Sequence, residues 1–303
     1  MLEPYADSVS GAAAQPCREL LAALTDFDSD QGPDIRAAKA AALWWEGVLL
    51  LSQSMPASAR ECFEKALAIV VADLGADHLW THNCRRMIGR AKLANGEVDE
   101  AAGLLLRASE GMSRTGAATN IGVIAAARDA ALGLGAVGRE REAGELLARQ
   151  VRRMLETEGT ASGAERPIPP GYHLLVARPL AMIAGLPHAH AELAERSARH
   201  AMAGLSESGL ARLTVGAALY RQQRHADAEP LLAEADEIDQ RNKRPPHPVV
   251  ALYRSACSRA QGDAAQADEW LREADRRAEG FRFDGFTTRS WASLREELGG
   301  DRP

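Results

Sequence analysis

A threefold recurrence constrains this chain more than any other feature of its sequence. Ala59, Ala101 and Ala143 stand 42 residues apart, and each is followed four positions later by a bulky residue: Phe63, Leu105 and Leu147. Twelve positions before each alanine comes a small residue (Gly47, Gly89, Ala131), and five before it a residue suited to a turn (Ser54, Gly96, Gly138). Two helices that cross closely need this set: a small residue at the crossing, a large one beside it, and a left-handed turn between them.

The stretch from Arg90 to Met112, RAKLANGEVDEAAGLLLRASEGM, shows the unit most clearly. One helix is expected to end at Gly96. A second begins near Asp99, whose carboxylate suits the free N–H groups of a first turn. A chain that repeats such a unit is predicted to be all-α, an α-solenoid of stacked antiparallel helical hairpins, because a lone hairpin cannot bury its own apolar face.

Composition agrees with stacking and removes several classes of function. Apolar residues are 46% and charged residues 26% of the 303, enough to bury a core and too apolar for disorder. Aromatics are only 5%, so the helices pack closely and form few large pockets. A net charge of −6 opposes sequence-independent phosphate binding, and nucleic acid is not an expected partner. The apolar run Ala40–Trp45 resumes at Gly47–Leu51 but is broken by Glu46, too short for a bilayer span. The opening MLEPYADSVSG has no basic-then-apolar order. No membrane association and a cytoplasmic location are therefore expected. Cys17, Cys62, Cys84 and Cys257 show no CxxC spacing and are read as reduced thiols packed as small hydrophobes.

Along the chain, residues 1–34 are read as a capping helix, centred on Pro16–Phe27, and residues 35–157 as three hairpins. Residues 158–172, EGTASGAERPIPPGY, are poor in helix signals and form a hinge between two arrays or an ordered loop. Residues 173–280 hold a degenerate hairpin, with Arg178 where a small residue is expected, and two regular ones about Gly216/Ala228 and Gly262/Ala267. Between these two lies a rigid basic connector, RNKRPPHP. Residues 281–303 supply a C-terminal cap, Thr287–Leu298, and a tail.

The small–large–small signature resembles the tetratricopeptide repeat, and its 42-residue period resembles the kinesin-light-chain-like variety. The segment Ala66–Thr81, ALAIVVADLGADHLWT, matches the linker of that variety except for Leu79 in place of proline, and in it Asp77 would cap the next helix. The second half, with VGAALYR and the AxxWLxxA of Ala267–Ala274, is similar to tetratricopeptide regions of bacterial signalling proteins. The resemblance implies a superhelix whose first helices line a concave groove that holds a protein or peptide partner, at positions where relatives hold a terminal carboxylate.

Helical period places the residues three before, one after and four after each crossing residue on one stripe. The stripes are Trp44/Val48/Leu51, Arg86/Arg90/Leu93, Arg128/Leu132/Gly135, Leu213/Ala217/Tyr220 and Leu252/Ala256/Arg259. The candidate peptide-binding residues are Trp44, Asn83, Arg86, Arg90, Arg128, Tyr220 and Arg259. Guanidinium groups grip carboxylates in pairs of hydrogen bonds and would steer an acidic peptide to an otherwise negative protein. The alternative is that these arginines are solvated or paired with acids such as Asp129 or Glu100.

HExxH, GxxxxGK[ST] and GxSxG are missing, and no GxGxxG follows a strand. His78/His82 and His188/His190 have metal-like spacing, but each fits a helix start better. No enzymatic activity, metal or cofactor is expected. The expected function is a protein–protein interaction scaffold that binds an extended acidic peptide. The alternative is a regulatory module that changes shape on peptide or effector binding to control a kinase, protease or transcription factor. Oligomeric state is not legible.

Overall fold

The computed structural model describes residues 32–160, 168–183, 185–281, 291 and 294–298. Among them there is no strand. The helices are α1 (Pro33–Ser52), α2 (Pro56–Leu74), α3 (Leu79–Ala94), α4 (Val98–Thr115), α5 (Ile121–Ala136), α6 (Glu140–Thr160), α7 (Pro170–Met182), α8 (His188–Gly204), α9 (Gly209–Arg221), α10 (His225–Arg241), α11 (Pro248–Ala260) and α12 (Ala264–Ala278). The chain divides into two compact units, residues 1–137 and 138–303. In the first, α1 pairs with α2 and α3 with α4; α2 packs on α3, α4 on α5, and α3 touches α5. In the second, α6 packs on α7 and α8, and the pairs α7/α8, α9/α10 and α11/α12 stack, with α7, α9 and α11 touching in succession. Each unit is a stack of antiparallel hairpins, the all-α solenoid class expected.

The crossings are made where the sequence puts its small residues. A Cβ added at Gly47 would lie 2.6 Å from Phe63 Cε1, one at Gly89 2.7 Å from Leu105 Cγ, and one at Gly216 2.8 Å from Leu232 Cγ. In the last pair a serine takes the place of glycine, and Ser255 Oγ donates to the Ala267 carbonyl at 2.7 Å. Ala59, Ala101, Ala143, Ala228 and Ala267 are all buried, as are Phe63, Leu105, Leu147 and Leu232. Left-handed turns stand five residues before these alanines, at Ser54 (φ 60°), Gly96 (83°), Gly138 (75°), Gln223 (61°) and Gly262 (85°). Non-glycine residues accept such a φ at a cost of about 1–2 kcal/mol, which the packed hairpin must offset.

Several local expectations are corrected. Asp99 does not cap α4: Glu97 holds the N-cap position, and its carboxylate is taken by Arg60, Lys92 and Asn95. Asp99 lies in the first turn, where it acts on the helix dipole. Nor does Asp77 cap α3. The cap is His78, whose Nδ1 accepts from the Trp80 N–H at 3.2 Å, while Asp77 approaches the buried His82 at 3.8 Å. In α7/α8 the buried small residues include Ala177 and Ala181 on α7 and Ala194, Ala198 and Ala201 on α8, and Arg178 is half-buried.

Cys62, Cys84 and Cys257 are free and buried. Burial pushes their thiols up to about 11, 11 and 12, with Glu46 adding to the shift at Cys62. Cys17 and the cap at Pro16–Phe27 lie outside the described residues. Of segment 158–172, Glu158 to Thr160 continue α6 and Pro170 opens α7, while 161–167 lie outside. At the C-terminal cap Leu294 and Leu298 are buried, Arg259 donates to the Leu298 carbonyl at 2.9 Å, Arg295 pairs with Asp275 at 2.8 Å, and Arg221 pairs with Glu297. No helix among the described residues is long and apolar enough to cross a membrane.

Two glycines of first helices separate crossing from propensity. Gly89→Ala forces a Cβ into Leu105 and is expected to lower stability by about 1–3 kcal/mol. Gly135 has open space around its Cβ direction. Gly135→Ala is expected to raise stability by about 0.5–1 kcal/mol through helix propensity alone. Chemical denaturation of the two variants measures both, and opposite signs are the expected result.

Candidate functional site

Arg86 and Arg90 share one face of α3, four residues apart, and Arg128 and Asp129 lie on α5, which α3 touches. The Asp129 carboxylate, 2% exposed, is where the three arginines meet. Arg86 Nη1 donates to Oδ2 at 2.9 Å, Arg90 Nε stands 3.8 Å from the same oxygen, and Arg128 Nη1 stands 3.9 Å from Oδ1. Arg86 Nε donates to Asn83 Oδ1 at 3.1 Å. A buried carboxylate needs both a counter-charge and hydrogen bonds, and Arg86 supplies these from inside the fold.

Arg86 is therefore a buried anchor, not an open ligand contact: its side chain is 10% exposed, against 42% for Arg90 and 24% for Arg128. Burial lowers its pKa, Asp129 opposes the shift, and the neighbouring Arg90 and Arg128 charges add to it. The pairing with Asp129 that the sequence left open is the one formed. Glu100 instead takes Lys92, at 2.7 Å.

Charge balance distinguishes this cluster from a similar one in the second unit. There the buried Asp236 faces Arg254 at 3.3 Å and Arg277 at 2.7 Å. Those arginines also pair with Glu229 and Glu273, and Arg276 pairs with Glu273. Three acids meet three arginines, and the Trp270 ring lies under the Arg254 guanidinium at 3.7 Å. At Asp129 three arginines meet one acid. The cluster keeps a surplus of positive charge, and Arg90 carries it to the surface.

The remaining candidates fall elsewhere. Trp44 is half-buried in an aromatic cluster, edge-on to Trp45 (5.0 Å) and Trp80 (6.2 Å). It packs against the cores that α1 shares with α2 and α3. Trp45 and Trp80 are the exposed members, at 43% and 48%, and neither was singled out from the sequence. The signal for them was adjacency: Trp45 follows Trp44, and Trp80 lies within the linker motif, next to its last residue. In the second unit Tyr220 packs on His225 (5.0 Å) and Tyr253 (5.5 Å), and Arg259 is engaged by the Leu298 carbonyl and Asp268. Leu213, Ala217, Leu252 and Ala256, of the same stripes, are core residues, because neighbouring helices cover them. The open groove stripe expected there is thus replaced by packing. The paired histidines are helix starts, as read: His78 caps α3, and His188 opens α8 facing Glu192 at 3.5 Å.

Residues 39–114 match the tetratricopeptide repeat family. No curated protein sequence matches the chain. Among solved structures, the chain is similar to the nearly identical TPR-like repeats of a putative kinesin light chain from Podosopora anserina. That likeness has 19% identity and a TM-score of 0.51, over 69% of this chain and 98% of that one. It is also similar to BtubC (BKLC) from P. vanneervenii, at 13% identity and a TM-score of 0.43, over 100% of this chain and 94% of that one. Small residues at the hairpin crossings and left-handed turns five residues before the second-helix alanines agree with the match over 39–114: that segment is similar to the tetratricopeptide repeat family, and the chain has the fold of TPR-like repeats.

Proposed function

We propose that the protein is a non-enzymatic interaction scaffold that holds an extended, acidic peptide segment of a partner protein, anchored by the surplus positive charge about Asp129. The observation that carries this reading is the imbalance of three guanidinium groups over one buried carboxylate, two of them partly exposed. Arg90 and Arg128 are the ligand contacts. Asn83 holds Arg86, and Arg86 holds Asp129 and, through it, the two outer guanidiniums. Each charge-assisted hydrogen bond to a ligand carboxylate is worth about 1.5–3 kcal/mol, so two arginines support moderate affinity that falls with salt. Trp45 and Trp80 offer exposed apolar surface on the same unit for the partner's flanking side chains.

The probe is a fluorescein-labelled, glutamate-rich decapeptide with a free C-terminal carboxylate, followed by fluorescence anisotropy. Wild-type protein is expected to bind it, and the double variant Arg90→Glu/Arg128→Glu to lose at least about tenfold in affinity, equivalent to 1.4 kcal/mol. Arg241→Glu, at an exposed site on α10, is expected to leave binding unchanged. Failure of the wild type to bind, or equal binding by the double variant, overturns the proposal.

Stability separates anchor from contact. Asp129→Asn removes the only carboxylate of the cluster and leaves Arg86 buried, which is expected to cost about 3–5 kcal/mol. Arg90→Ala is expected to cost less than about 1 kcal/mol. Thermal denaturation of both variants checks the order.

A further inference from the structure

The second unit brings together three side chains that lie far apart in sequence: Glu158 near the end of α6, His173 in α7 and His200 in α8. His173 Nε2 lies 3.2 Å from Glu158 Oε1, and His200 Nδ1 lies 3.6 Å from Oε2. One nitrogen of each imidazole and one carboxylate oxygen fall within 4.8 Å of one another. The two rings are nearly parallel, with centres 5.3 Å apart. Two imidazoles on one tetrahedral ion, with bonds of about 2.1 Å, hold their centres roughly 5 Å apart. The other nitrogen of His173, Nδ1, is 3.0 Å from the hydroxyl of the fully buried Ser197, the kind of outer contact that fixes an imidazole and aims its second nitrogen. Glu158 Oε2 is buried and makes no hydrogen bond among the described residues, so the carboxylate has acceptor capacity that these protein groups leave unused.

We propose that Glu158, His173 and His200 form a binding site for a divalent transition-metal ion, best suited to Zn2+. Two imidazole nitrogens and one carboxylate oxygen are the donor set of a borderline-soft ion; Mg2+ and Ca2+ prefer oxygen alone. Three protein ligands leave a fourth position for water or for a group from a partner. The His200 side chain is 53% exposed, which gives the ion a path from solvent and gives the ring room to close the last ångström. A bound ion would tie the end of α6 to the α7/α8 hairpin, and none of the arginines at Asp129 takes part. The sequence gives no metal spacing here because its three ligands come from three separate helices.

The test uses the full chain, stripped of metal with a chelator, and Zn2+ alone as the probe, in a competition titration against a chromophoric chelator. One equivalent of Zn2+ is expected to bind, with affinity falling at least about tenfold in His200→Ala and in Glu158→Gln. His188→Ala, a surface histidine paired with Glu192, is expected to behave as wild type. The Co2+-substituted protein is expected to show d–d absorption without sulfur-to-cobalt charge transfer, excluding the cysteines as ligands. His200 is exposed and Glu158→Gln keeps the side-chain shape, so both variants should retain the wild-type circular dichroism. No stoichiometric Zn2+ uptake, uptake unchanged by His200→Ala and Glu158→Gln, uptake lost in His188→Ala, or a thiolate spectrum with Co2+ overturns the proposal.

Discussion

The contact on which the structure depends is the close approach of two helices where one has no side chain: Gly47 against Phe63, Gly89 against Leu105, Gly216 against Leu232. Protein interiors are packed too densely to absorb a displaced methyl group, so each such crossing fixes the rotation of both helices about their axes. The consequence reaches the surface. With Gly89 turned to α4, the positions three before and one after it, Arg86 and Arg90, are carried to a neighbouring face, the face that α5 meets. Packing in the hairpin and the position of the charged cluster are therefore one geometric fact.

Electrostatics then divides that cluster into structure and surplus. A buried aspartate must be paired, and both units contain one, Asp129 and Asp236. Around Asp236 the surrounding acids balance the arginines, and an aromatic ring supports them. Around Asp129 no second acid is within ion-pair range of Arg90 or Arg128 among the described residues. The first arrangement is complete without a ligand. The second holds positive charge at a rigid, partly exposed site, the condition under which an anionic ligand gains most from guanidiniums already in place.

How much of this is legible in the sequence depends on the range of the interaction. Crossings, turns and buried cysteines are set by near neighbours, and Gly47, Gly89, Ser54, Gly96 and Cys257 can each be assigned from spacing alone. Caps are less legible, since Asp77 and Asp99 compete with nearby acceptors. Glu97 is drawn into place by three donors, one of them, Arg60, 37 residues away. Helical period puts Arg86, Arg90 and Arg128 on related faces, but it cannot say that Asp129 would bury Arg86 and leave Arg90 at the surface. The second-unit stripes failed for the same reason, because apolar residues such as Leu213 and Ala217 look alike whether they line a groove or a core. Glu158, His173 and His200 meet only in three dimensions.

The central claim is that the outer arginines at Asp129 are free to bind an anion while the inner one is committed to the fold. Side-chain 15N NMR of the arginine Nε–Hε groups, recorded while a carboxylate-terminated acidic peptide is added, reads the three separately. Progressive shifts of the Arg90 and Arg128 resonances, with Arg86 holding its hydrogen-bonded position, are the predicted result. Shifts confined to arginines outside this cluster, or no change at Arg90 and Arg128 at saturating peptide, would contradict it.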